Sequence, residues 1–135
     1  MKRFFSLLLS LLIITLMISC AENKGGAADG DETRGYRPIS PEAAKQMMTD
    51  YPGAVILDVR TAEEYNGGHI PGAIVLDYED VRAKAHVVLP DKEQIILVYC
   101  RSGRRSKIAA EDLAELGYTE VYEFGGIIDW PYETE

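Results

Sequence analysis

Cysteine is nearly absent: the 135 residues hold two, Cys20 and Cys100. Two thiols 80 positions apart are not the framework of a disulfide-rich domain. Positive charge is scarce as well, with 14 Lys and Arg against 22 Asp and Glu and a formal balance of -8. Such a surface repels phosphate backbones, so nucleic acid is not expected as a partner. No apolar run reaches the roughly 20 residues that cross a bilayer. His69 and His86 lie outside any metal-ligand spacing, and no metal is expected. Repeats and low-complexity tracts are missing, which excludes collagenous and mucin-like chains. What is present, 47% hydrophobic and 27% charged residues, is the composition of one ordinary globular domain.

The amino terminus differs from the rest. Residues 1–19 contain no acid, start with Lys2 and Arg3, and run apolar from Phe4 to Ile18 with only Ser6, Ser10 and Thr15 interrupting. This is the layout of a secretory signal peptide, with a permanent membrane span as the other reading. Met17-Ile18-Ser19-Cys20 resembles the lipobox of bacterial lipoproteins, which implies a diacylglycerol thioether on Cys20 and cleavage before it. Several acyl chains hold a protein stably at a membrane. Ordinary cleavage nearby is the alternative. The resemblance implies a lipid-anchored protein of the bacterial cell envelope facing the periplasm, and Ala21 in place of Asp points to the outer membrane. Residues 20–35, rich in Gly, Ala and charge, have nothing with which to offset the entropy of ordering and read as a tether. Residues 36–135 are then the folded domain. Loss of residues 1–19 removes two bases and no acid, leaving 12 against 22 and a balance of -10.

Within the domain, strand and helix signals alternate. Ser40-Pro41-Glu42 starts a helix to about Asp50. Ala54–Val59 is a β-branched apolar run, as for a strand covered on both faces. Thr61 caps a short helix through Tyr65, and Ala73–Leu76 forms a second strand. Tyr78–Ala85 is helical, Gln94–Tyr99 is a third strand, and Ala109, Leu113 and Leu116 mark one face of a helix ending at Gly117. Thr119–Phe124 is a fourth strand, followed by a short turn or helix from Gly125-Gly126 to Trp130. This order predicts an α/β fold: a small, mostly parallel central sheet with helices on both faces.

Sites in such sheets form beyond the carboxyl ends of the strands, where Cys100 stands. Cys100-Arg101-Ser102-Gly103-Arg104-Arg105-Ser106-Lys107 gathers four basic residues within eight positions of an otherwise acidic chain. A loop entering a helix turns backbone N–H groups inward and adds the positive end of the helix dipole. Thiol pKa values fall from about 8.5 to roughly 3.5–7.5 in such places, so Cys100 reads as an ionised nucleophile instead of a buried apolar filler. Gly103 permits positive φ, Ser106 is positioned to cap the next helix, and the arginines can hold an oxyanion bidentately. The thiol has to be reachable at the floor of a concave ring of donors. Cys-dependent phosphatases and arsenate reductases use related chemistry, but the loop from Cys100 to Arg105 has four intervening residues where a Cys-x5-Arg loop has five.

Three segments together resemble the single-domain rhodaneses, the thiosulfate sulfurtransferases, over roughly Ile39 to Trp130. They are Leu57-Asp58-Val59-Arg60 with Glu63-Glu64-Tyr65 and Gly68-His69-Ile70-Pro71-Gly72-Ala73, then Cys100–Ser106, and then Gly125-Gly126 to Trp130. The resemblance implies transfer of sulfur from a small anionic donor such as thiosulfate, through a persulfide on catalytic Cys100, to cyanide, a thiol or a protein cysteine. It implies no cofactor, because sulfur is both nucleophile and cargo. Arg101, Ser102, Gly103, Arg104, Arg105 and Ser106 would bind the donor, with Arg101 and Arg104 drawing it in and Arg105 bracing the loop or touching the anion. Asp58 and Arg60 would support the loops by ion pairing, His69 would make a structural hydrogen bond, and the acids would be mostly solvated surface. The short tail after Trp130 implies a more open side to the site. A module that carries persulfide or binds a partner without turnover remains the alternative to an enzyme.

Overall fold

The structure, a computed structural model, describes residues 35–135. The leader, the lipobox cysteine Cys20 and almost all of the tether lie outside the described residues. Five strands form one sheet: β1 (Arg37–Pro38), β2 (Val55–Asp58), β3 (Ile74–Val75), β4 (Ile96–Cys100) and β5 (Val121–Gly126). Their spatial order is β1-β5-β4-β2-β3, and every pairing is parallel. Four helices connect them, α1 (Pro41–Asp50), α2 (Ala62–Asn66), α3 (Val81–Val88) and α4 (Arg104–Glu115), with 3-10 turns at Tyr78–Asp80 and Ile127–Asp129.

β4 is central and buried throughout, and its side chains alternate between two cores. Ile96, Val98 and Cys100 join Leu57, Val59, Ala109, Ala110 and Leu113 on the face that α3 and α4 cover. Leu97 and Tyr99 join Ala44, Ile70, Phe124 and Trp130 on the other face, with Met47, Met48 and Tyr65 packed around them. The expected sheet with helices on both faces is therefore present.

Three local differences have physical reasons. β1 has no apolar pattern to announce it, because it is a two-residue edge strand; Pro38 offers no N–H to the ladder, and Ile39 N–H donates to Glu123 O at 2.8 Å. Helix α3 runs past Ala85 to Val88, through β-branched residues of low intrinsic preference, because Leu89 is buried just beyond and Pro90 ends the run. The residues after Trp130 pack against the domain: Glu135 exchanges two backbone hydrogen bonds with His69, at 2.8 and 2.9 Å, and Trp130 Nε1 donates to Glu133 O.

The carboxyl end of β2 is fixed by a buried polar knot. Asp58 is fully buried and accepts from Arg60 N at 3.0 Å, Nε at 2.9 Å and Nη2 at 2.6 Å, and from the Tyr99 hydroxyl at 2.6 Å. Arg60 Nη2 also donates to Gly68 O, and the Tyr99 oxygen accepts from Ile70 N–H. Burial, and then the bond to Asp58, push the Tyr99 phenol far up, so it stays a donor. Asp58→Ala leaves the buried Arg60 charge with a carbonyl alone. The expected cost is about 3–5 kcal/mol, read as a lowered urea midpoint with unchanged slope.

Candidate functional site

The loop after β4 folds tightly around the sulfur of Cys100. Gly103, at φ +98°, turns its N–H back onto Cys100 Sγ at 3.0 Å, in a backbone region that L side chains rarely adopt. Ser106 Oγ lies 3.4 Å from the same sulfur. Burial pushes the Cys100 thiol up; its hydrogen bond with the Ser106 side chain and those from the N–H groups of Ser106, Gly103 and Ser102 outweigh it, and the net pKa lies below the ordinary thiol value. The expected ring of donors is present.

Solvent access is less than expected. Cys100 is 1% exposed, because its sulfur lies at the floor of a contracted loop with Gly103 and Ser106 also buried. Arg101, Ser102 and Arg104 form the exposed rim. Arg104 lies over the Tyr78 ring, 5.9 Å from its centroid. Among the described residues, neither Arg101 nor Arg104 takes part in an ion pair.

Arg105 points elsewhere. Its two guanidinium nitrogens donate to the two oxygens of Glu64, each at 2.7 Å, so of the two roles expected for it bracing is the one observed. Glu64 is itself locked in the capping box of α2 with Thr61, so the pair ties the loop to the start of α2. The Arg105 guanidinium is the largest cause that holds Glu64 down, at about 2 instead of 4.5. A carboxylate with a depressed folded-state value adds stability above its unfolded value and loses it as pH falls through the folded one. Glu64→Gln is therefore expected to unfold more easily than the parent by about 1–2 kcal/mol at neutral pH, a value reduced for partial exposure. The difference should close between about pH 4.5 and 2, measured by urea midpoints across that range.

Ser106 corrects an expectation. Helix α4 starts at Arg104 with Gly103 at the cap, so Ser106 sits within the first turn and caps nothing. Its side chain instead points under the loop, where it donates to Glu123 Oε1 at 2.6 Å and lies 3.1 Å from Gly103 O. Glu123 was not singled out by the sequence reading. It is 3% exposed, faces the core from β5, and also accepts from Gly125 N–H at 2.8 Å. His69 fills the structural place expected of it, with Nδ1 3.0 Å from Tyr65 O and its ring stacked on that tyrosine. Asp58 and Arg60 lie at the end of the neighbouring strand as support, in the knot described above.

The carboxyl edge of β5 closes the site. Arg101 O accepts from Ile128 N–H, and an added Cβ on Gly126 would sit 2.0 Å from that carbonyl oxygen. Only glycine allows the two segments to approach this closely. Among the described residues there is no cluster of three or more His, Cys, Asp or Glu that could hold a metal.

A family profile described as Rhodanese-like domain matches residues 40–131. The thiosulfate sulfurtransferase PspE of Escherichia coli is 41% identical over 73 residues, 54% of this chain and 70% of that protein. A solved structure described as rhodanese with anions from E. coli superposes with a TM-score of 0.57 at 36% identity, covering 61% of this chain and 96% of that one. The solution structure of a rhodanese-like domain from Anabaena sp. gives 0.66 at 31% identity, covering 73% and 77%.

Proposed function

Because the chain belongs to the rhodanese-like domain family, we propose that it is a sulfurtransferase working through a persulfide on Cys100. The thiolate attacks the outer sulfur of thiosulfate; the S–S bond of the donor breaks, sulfite leaves with the electron pair, and Cys100 keeps the sulfur. A thiophilic acceptor, cyanide, a small thiol or a protein cysteine, then removes it and restores the thiolate. The observation that carries this reading is Cys100 Sγ at the floor of a loop whose N–H groups turn toward it and lower its pKa. The same donors would stabilise the terminal sulfur anion of the persulfide.

Arg101 and Arg104 are the rim cations left to attract a dianionic donor, since Arg105 is committed to Glu64. The sulfur is nearly enclosed, so entry of the donor requires the rim of Arg101, Ser102 and Arg104 to move outward. The anions in the description of the E. coli structure and the thiosulfate in the name of its relative support an anionic donor here. Purified protein given thiosulfate and cyanide should release thiocyanate with saturation in both substrates and should leave a phosphate ester untouched. Sulfur loading without turnover would favour the carrier module; hydrolysis of the ester would favour a phosphatase.

For the whole chain we propose a lipid anchor on Cys20, a tether through residues 20–35 and a periplasm-facing domain. The support is the acid-free apolar leader ending in Ser19-Cys20. Intact mass of protein expressed from the full gene in a bacterial host should show residues 1–19 removed and acyl chains added. A mature chain that lacks lipid, or one that retains the leader, would refute the anchor.

A further inference from the structure

The rim of the loop is wider and more apolar than a small anionic donor requires. Arg37, Arg60, Arg82, Lys84 and Arg105 each hold an acid, whereas Arg101, Arg104 and Lys107 hold none among the described residues. In a chain with 14 bases and 22 acids, these unpaired cations around one thiol form a positive patch on a negative body. Arg101 and Arg104 suffice for a dianion over Cys100. Lys107 is exposed and lies about 4.5 Å farther along the axis of α4, a third cation beyond the two that the donor needs.

The other side of the loop is apolar. Ile128 N–H donates to Arg101 O at 3.2 Å, which fixes Ile128 beside the residue that follows Cys100. Its side chain is 62% exposed, while its neighbour Ile127 packs against the core. Ile108, one turn after Arg104 on α4, is a second exposed branched side chain. Single exposed apolar residues are ordinary. These two stand next to unpaired cations at the mouth of a reactive site, and apolar side chains set among arginines are the composition of a protein contact. Asp129 and Glu111, both exposed, bound the patch with negative charge and keep it small.

Resting this on the sulfurtransferase reading, we propose that the rim is the docking surface for a protein acceptor, a cysteine on a segment flanked by acidic and apolar side chains. Ile128 is the apolar anchor and Lys107 the outer charge that select it. The partner's acids meet Arg101, Arg104 and Lys107, its apolar side chain covers Ile128, and its thiol descends onto the outer sulfur held by Cys100. The partner's thiolate bonds that sulfur; the bond to Cys100 breaks, its electron pair restores the Cys100 thiolate, and the partner leaves as a persulfide. No oxidant or reductant is consumed.

Two cysteine peptides of equal length test this, one with Asp and Leu flanking the thiol and one with Lys in place of Asp. Cationic neighbours lower a thiol pKa and acidic ones do not, so thiolate content alone favours the lysine peptide. With the sulfur-loaded full chain, the acidic peptide should instead take up sulfur with a kcat/KM about 10-fold higher, an advantage that shrinks as salt is added. Ile128→Ser should lower transfer to the acidic peptide about 5-fold and Lys107→Gln about 3-fold, while discharge by cyanide stays within about 2-fold of the parent. Equal rates for the two peptides overturn the docking surface whether or not a variant folds, and so do equal losses with peptide and cyanide in the folded variants. A serine analogue of the acidic peptide, followed by fluorescence anisotropy on the unloaded full chain, separates docking from chemistry. It should bind the parent more tightly than Ile128→Ser. Such binding in a protein that never loads sulfur would keep the surface and remove the enzymatic reading; sulfur loading and cyanide discharge with no preference for the acidic peptide would keep the enzyme and remove the surface.

Discussion

Cys100→Ser is expected to reduce thiocyanate formation to the uncatalysed background, a loss of about 10⁴-fold or more. The hydroxyl is not appreciably ionised at neutral pH and cannot bear a sulfur as a persulfide, so both halves of the exchange vanish together. Stability should hardly move. Serine is close to the size of cysteine, and its oxygen falls beside the Gly103 N–H and Ser106 hydroxyl that now surround the sulfur. A urea midpoint within about 1 kcal/mol of the parent is therefore expected alongside the lost activity. Residual turnover above background in the folded variant would assign the chemistry to another group.

Gly126→Ala should also lower activity strongly, though less than loss of the thiol, for a steric reason remote from the reacting atom. The new methyl would fall 2.0 Å from Arg101 O, 2.4 Å from its carbonyl carbon and 2.6 Å from Ser102 Cα. All three are backbone atoms of the loop, so the loop has to move. Displacement of a reactive group by about 1 Å can cost about 100-fold in rate, which is the expected fall in turnover; overpacking should cost about 1–3 kcal/mol in stability. Gly125→Ala separates strain from clash. Gly125 has φ +91° and nothing within 4 Å of an added Cβ, so alanine there should cost about 1–2 kcal/mol of stability and far less activity. Equal rate losses in the two variants would contradict the steric account.

The architecture was legible where a residue's own chemistry decided its structure. Ser40 and Thr61 are the caps that their positions foretold, the apolar β-branched runs became β2 and β4, and Gly103 adopts the positive φ its place required. What escaped depends on partners distant in the chain. β1 exists because β5 offers it an edge, and nothing between Arg37 and Pro38 announces that. Ser106 carries the signature of an N-cap, yet the helix starts two residues earlier and turns the hydroxyl toward Glu123.

Glu123 was covered by the expectation that acids are solvated, and both it and Asp58 are buried. A signal was available in the period of β5: Val121 and Glu123 share a face, and Val121 is in the core. An acid in an inward register is a candidate for a partner or a function. Asp58 had a readable counterpart in Arg60, two residues on and so on its own face of an extended segment, whereas the Tyr99 hydroxyl that completes its shell comes from a neighbouring strand.

In the proposed cycle Cys100 receives and holds a single sulfur atom. Its most direct test is the intact mass of the protein after incubation with thiosulfate and no acceptor, with the modified peptide mapped. A gain of one sulfur atom on Cys100 is expected, reversed by cyanide and absent from Cys100→Ser. An unchanged mass in the folded protein, or sulfur found on another residue with Cys100 unmodified, would contradict it.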